Sequence, residues 1–104
     1  MEIQSIISSI NKLLPKIDFA YKGNFILKQT INPNKTFKAF KTLIVELWFY
    51  HKETKQAVKV YTVMTSNKIT EDNVHTEFES LYSTMINHII RIIKFNTFDC
   101  GDED

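Results

Sequence analysis

Residues 3–14 carry isoleucine and leucine at spacings of three and four: Ile3, Ile6, Ile7, Ile10, Leu13 and Leu14 draw one apolar stripe, with Gln4, Ser5, Ser8, Ser9, Asn11 and Lys12 on the other side. That period predicts an amphipathic helix. Pro15 removes a backbone donor and disfavours helix at Leu14, so the helix is expected to end there. The period then changes to two. Ile17, Phe19 and Tyr21 alternate with Asp18, Ala20 and Lys22, the pattern of a half-buried strand, and Gly23-Asn24 has the chemistry of a two-residue hairpin returning through residues 25–31.

Asn32-Pro33-Asn34-Lys35 is the clearest turn signal in the chain. Residues 37–50 are β-branched and aromatic, and only Glu46 interrupts the apolar run between Leu43 and Tyr50, which predicts a central strand covered on both faces. Lys52-Glu53-Thr54-Lys55 is a polar loop, and residues 57–64 alternate as a fourth strand. A last helix is expected from Thr70 as N-cap, with Glu71 and Asp72 complementing its dipole. Its stripe is Val74, Phe78, Leu81, Tyr82, Met85, Ile89, Ile92 and Ile93. The expected fold is therefore α+β, in two layers, ordered α-β-β-β-β-α. Residues 1–98 are expected to form one domain, and residues 99–104 an acidic tail that frays.

Composition supports folding: 104 residues allow one core, and 43% hydrophobic with 24% charged residues are globular values. The single cysteine, Cys100, makes no internal disulfide, and the N-terminus lacks the basic region of a signal peptide. No apolar window approaches the roughly 20 residues that span a bilayer. These features predict a cytoplasmic protein without membrane partners, and the Ile-, Asn- and Lys-rich character suggests a viral or phage-encoded factor in host cytoplasm or virion.

Charge is where the chain departs from the ordinary. Residues 12–68 hold eleven lysines against Asp18, Glu46 and Glu53, a local net of +8, whereas residues 69–104 carry a net of −6. Lys22, Lys28, Lys35, Lys38, Lys41, Lys52, Lys55 and Lys59 are the candidates for a surface that meets a partner or a polyanion. Two functions fit. Basic strands and an acidic helix can complement each other between copies or with a partner protein, as in a small assembly or interaction module. Alternatively, the lysines and the aromatics of the strands can bind nucleic acid, although no ribonucleoprotein motif, GXXG loop or arginine-rich stretch is present. The plainer structural reading places lysines on solvent faces and edge strands to oppose aggregation, and aromatics in the core. The last helix is apolar over a wide arc, and Ile86, Ile90 and Phe95 are candidates for an apolar interface with a protein partner or a second copy.

Catalytic and metal chemistry find little support. His51, His75, His88 and Cys100 have spacings that match no ligand pattern, and Asp99, Asp102, Glu103 and Asp104 lack the spacing of a calcium loop. Asn34-Lys35-Thr36 fits a glycosylation sequon but follows no secretory signal. Glu46, the one carboxylate in the apolar strand, is expected to point outward or to pair with a cross-strand lysine such as Lys59. No cofactor, substrate or enzymatic activity is predicted.

Overall fold

The computed structural model describes residues 3–33 and 40–98, without the side chains of residues 40, 66 and 67. The expected turn at Asn34 and the frayed tail from residue 99 lie outside the described residues. The chain forms helix α1 (Ile3–Leu13), a short 3-10 turn (Leu14–Lys16), strands β1 (Gly23–Pro33), β2 (Phe40–His51) and β3 (Gln56–Lys68), and helix α2 (Val74–Phe95). It is an α+β fold with a three-stranded antiparallel sheet in the order β1-β2-β3.

α1 ends as the proline dictates, with Pro15 in the first positions of the 3-10 turn. The expected strand at residues 17–21 is not formed. The alternation there has another cause: Phe19 and Tyr21 pack with Phe25, Phe49, His51 and Phe98 in an aromatic cluster, with Tyr21 and Phe98 4.6 Å apart between centroids, while Ile17 is exposed. Aromatic packing supplies a periodicity that a strand would also show. Gly23 is accordingly not a hairpin turn but the first residue of β1. Its φ is +156°, and a Cβ there would stand 1.8 Å from the Tyr50 carbonyl oxygen, so only glycine lets β1 approach β2 at this point.

β1 and β2 pair without a break from Gly23 opposite His51 to Pro33 opposite Lys41. β2 and β3 are joined through a hairpin in which Lys55 adopts φ 60° and its N–H bonds the His51 carbonyl at 2.8 Å. The β2–β3 register shifts between Leu47 and Trp48, a bulge that sets Lys59 opposite Trp48.

β2 is central, as expected, but buried on one face only. Leu43, Val45, Leu47 and Phe49 have no accessible surface, whereas Thr42, Ile44, Glu46, Trp48 and Tyr50 are all half-buried. The strict alternation assigns the odd positions to the core. There they cluster with Phe25 and Leu27 of β1, Ile7 and Leu14, and the α2 residues Phe78, Leu81, Met85, Ile89 and Ile92. Each such side chain contributes about 1.5–3 kcal/mol on burial.

α2 begins four residues later than Thr70. Thr70 instead caps a preceding turn, its Oγ1 accepting from Asp72 and Asn73 N–H, and Asn73 occupies the N-cap. At the other end Asn96 takes the left-handed conformation, φ 58°, that closes a helix. Its side chain reaches back across the chain: Nδ2 donates to the Asp18 carbonyl at 3.0 Å, and Oδ1 accepts from Ala20 N–H at 2.6 Å. Asn11 plays a similar part on α1. Its amide accepts from Phe25 N–H at 2.7 Å and donates to Phe25 C=O at 3.0 Å, meeting the outer edge of β1 as a neighbouring strand would.

Candidate interaction surface

The even-numbered positions of β1 and β2 compose a face on which no described residue is buried. Antiparallel sheets often leave one face to water, and such a face is normally polar. Here three of the five outward positions of β2 with described side chains are Ile44, Trp48 and Tyr50. Ile26 stands beside Trp48 in register with 37% of its surface exposed, and Met64 stands beside Ile44 with 61% exposed.

A polar cluster crosses the middle of this face. Trp48 Nε1 donates to Glu46 Oε1 at 3.0 Å, and Lys59 Nζ lies 3.7 Å from Glu46 Oε2, the partner expected for this carboxylate. Lys28, in register with Glu46, holds its ammonium 4.3 Å from the Trp48 ring centroid. The bulge brings Lys59 into reach, since it places that residue directly beside Trp48. Both carboxylate oxygens of Glu46 are thus engaged and one face of the indole is occupied by a cation, an arrangement worth about 0.5–1 kcal/mol per contact at an exposed site. It orients the indole, and it contains no nucleophile paired with a base.

The eight candidate lysines do not converge on one patch. Lys28 and Lys59 belong to the open face. Lys22, Lys52 and Lys55 gather at the hairpin end, where Lys52 N–H bonds the Lys22 carbonyl at 3.0 Å. Lys41 pairs with Pro33 at the opposite end, eleven residues along β2 from Lys52 and so roughly 35 Å away. Lys35 and Lys38 lie outside the described residues.

The three apolar candidates on α2 also separate. Ile86 and Ile90 are four residues apart and share one flank, but Phe95, 56% exposed, is turned about 140° from Ile90, with Lys94 Nζ 5.7 Å from its ring. Ile86 lines a groove of about 480 Å³ with Ile3 and Ile6 of α1 and Glu79, Tyr82, Ser83 and Asn87 of α2. The hydroxyl of Tyr82, one of the lining residues, donates to Gln29 Oε1, and burial pushes the phenol pKa up. A shallower hollow of about 370 Å³ separates the polar side of α1 from β1 at Asn24 and Ile26.

The histidines take separate places. His75 pairs with Glu79 at 3.1 Å, His88 stacks on Tyr61 with centroids 3.8 Å apart, and His51 belongs to the aromatic cluster. Among the described residues no three His, Cys, Asp or Glu side chains gather as metal ligands, and Cys100 lies outside them. No helix of the described residues is long and apolar enough to cross a membrane. Comparison of the chain with protein-family models, with curated proteins and with solved structures found no match.

The outward parity of Trp48 is what the apolar run conceals. A continuous apolar run predicts burial on both faces, and the one signal to the contrary is Glu46 two residues before Trp48: a carboxylate in that parity marks the solvent side for its neighbours as well.

Proposed function

We propose that the chain is a non-enzymatic protein-interaction module: a two-layer domain whose helices cover one face of the sheet, leaving the other to dock a partner protein. The observation that carries this reading is the sharing of one incompletely buried sheet face by Ile26, Ile44, Trp48, Tyr50 and Met64. Aromatic anchors of this kind, ringed by polar groups, are what protein interfaces enrich. The Lys28–Trp48–Glu46–Lys59 cluster holds the anchor in one rotamer, so little side-chain freedom is lost on docking.

The test places a photo-crosslinking residue at position 44 and compares adducts formed in cells by the otherwise unchanged protein and by Trp48→Ala. A specific protein adduct that Trp48→Ala removes while the far-UV spectrum is unchanged supports the docking face. An adduct pattern indifferent to Trp48→Ala overturns it.

Nucleic acid is the second reading, favoured by the two lysines that flank an aromatic on an open sheet. Against it, Glu46 stands between them and would repel phosphate. Trp48 is the only tryptophan, so its fluorescence reports directly on the face. Unchanged emission on titration with single-stranded DNA and RNA at about 50 mM salt, where phosphate contacts are strong, would sink this reading.

A further inference from the structure

The groove between the helices has an unusual relation to the charges and apolar residues of α2. Taking 100° per residue, Glu79, Ser83, Ile86, Ile90 and Lys94 fall within about 80° of arc on one flank. Ile90 is 53% exposed on this flank, yet it is not among the residues that line the groove. The groove is centred about two helical turns earlier, at Tyr82 and Ser83, with Ile3 and Ile6 as its far wall.

We propose that α2 pairs antiparallel with α2 of a second copy about a two-fold axis between Ile86 and Asn87. This site is independent of the sheet face. A two-fold at that point relates positions equidistant from it. Ser83 and Ile90 are each three and a half residues away, so the partner's Ile90 enters the groove over Tyr82 and Ser83, and Ile90 enters the partner's groove in return. Glu79 and Lys94 are each seven and a half residues away, so Glu79 meets the partner's Lys94 on both sides of the axis.

Charge supports this occupant and this direction. The first half of α2 is acidic, with Glu77 and Glu79, and the last turns are basic, with Arg91 and Lys94. An antiparallel partner therefore sets the acidic first half of one helix against the basic last turns of the other, while a parallel one would set like against like. Lys94 now rests over Phe95, a weak solvent-side contact that a carboxylate displaces.

Sedimentation equilibrium of the full chain, from low to high micromolar concentration, is the test. A dimer is expected whose dissociation constant rises at least about tenfold in Ile90→Asp and in Glu79→Lys, and returns to within a few-fold in the double variant Glu79→Lys/Lys94→Glu, which restores opposite charges across the axis. The substituted side chains are exposed, so far-UV spectra are expected to stay unchanged. A chain that stays monomeric throughout the range overturns the proposal, as does a dimer indifferent to Ile90→Asp or one that the double charge exchange does not restore. Trp48→Ala leaves this dimer intact, which separates it from failure of the sheet-face reading.

Discussion

On β2 the side chains of Phe49 and Trp48 leave adjacent residues toward opposite sides of the sheet. Phe49 has no accessible surface and packs against the rings of Phe19, Phe25, His51 and Phe98, whereas Trp48 is half-buried and is held by a carboxylate and an ammonium. The two residues have similar hydrophobicity and the same strand propensity, so neither composition nor propensity distinguishes them. Their difference is one of parity, and it teaches that the two faces of this sheet differ in burial: the odd positions of β2 are closed to solvent, and the even positions keep part of their surface exposed.

The comparison is broken most forcefully by truncating each residue in turn. Phe49→Ala should cost about 3–5 kcal/mol in urea-induced unfolding, through lost burial and the cavity left behind. Trp48→Ala should cost about 1 kcal/mol and instead abolish adduct formation at position 44. Equal losses of stability would show that the outer face is as structural as the inner one. Next in size is Gly23→Ala. It forces a methyl group against the Tyr50 carbonyl, and the strain should lower stability by about 2–3 kcal/mol without altering the spectrum of Trp48 on the far face.

Asn96→Ala removes two hydrogen bonds to the 18–20 segment and a favoured left-handed residue, for a loss of about 1–2 kcal/mol by the same measurement. Asn96→Gly keeps the backbone freedom and should recover part of it.

The smallest effect is in alkaline solution. Burial raises the Tyr82 phenol above its ordinary value of about 10, so the unfolded chain releases this proton first. The contribution of Tyr82 to stability is then complete below pH about 10 and is lost as the pH climbs through the raised value. Comparison of Tyr82→Phe with the unchanged protein across this window isolates the effect, since the variant lacks that proton.

Much of the fold was legible because helical and strand periods are physical consequences of burying one side of an element. α1 stops where Pro15 requires it, β2 is central, and the stripe of α2 supplies the core. The errors came where the same pattern has two causes. Phe19 and Tyr21 alternate because they join an aromatic cluster with Phe98, nearly eighty residues distant, which no local window contains. Ile44, Trp48 and Tyr50 are apolar on a face where no described residue is buried, so they mimic a doubly covered strand.

The roles of Asn11 and Asn96 were hidden for a different reason. Each looks like an ordinary polar residue on or after a helix, and its partners are fixed only by tertiary folding. The candidate lysines were legible as a net charge, but their division between the open face, the hairpin end and the far end depends on strand register, which composition does not encode.

Asn11 also bears on how the protein survives at high concentration. An outer strand offers the same unsatisfied ladder to any passing chain, and unlimited addition of strands is the route to fibres. By occupying both backbone groups of Phe25, one amide side chain denies an incoming strand its first rung, and Pro33 at the other end of β1 has no N–H to offer. A strand guarded at both ends leaves an invader only its short middle to grip. The β1 edge is thereby a poor template for the addition of a further strand.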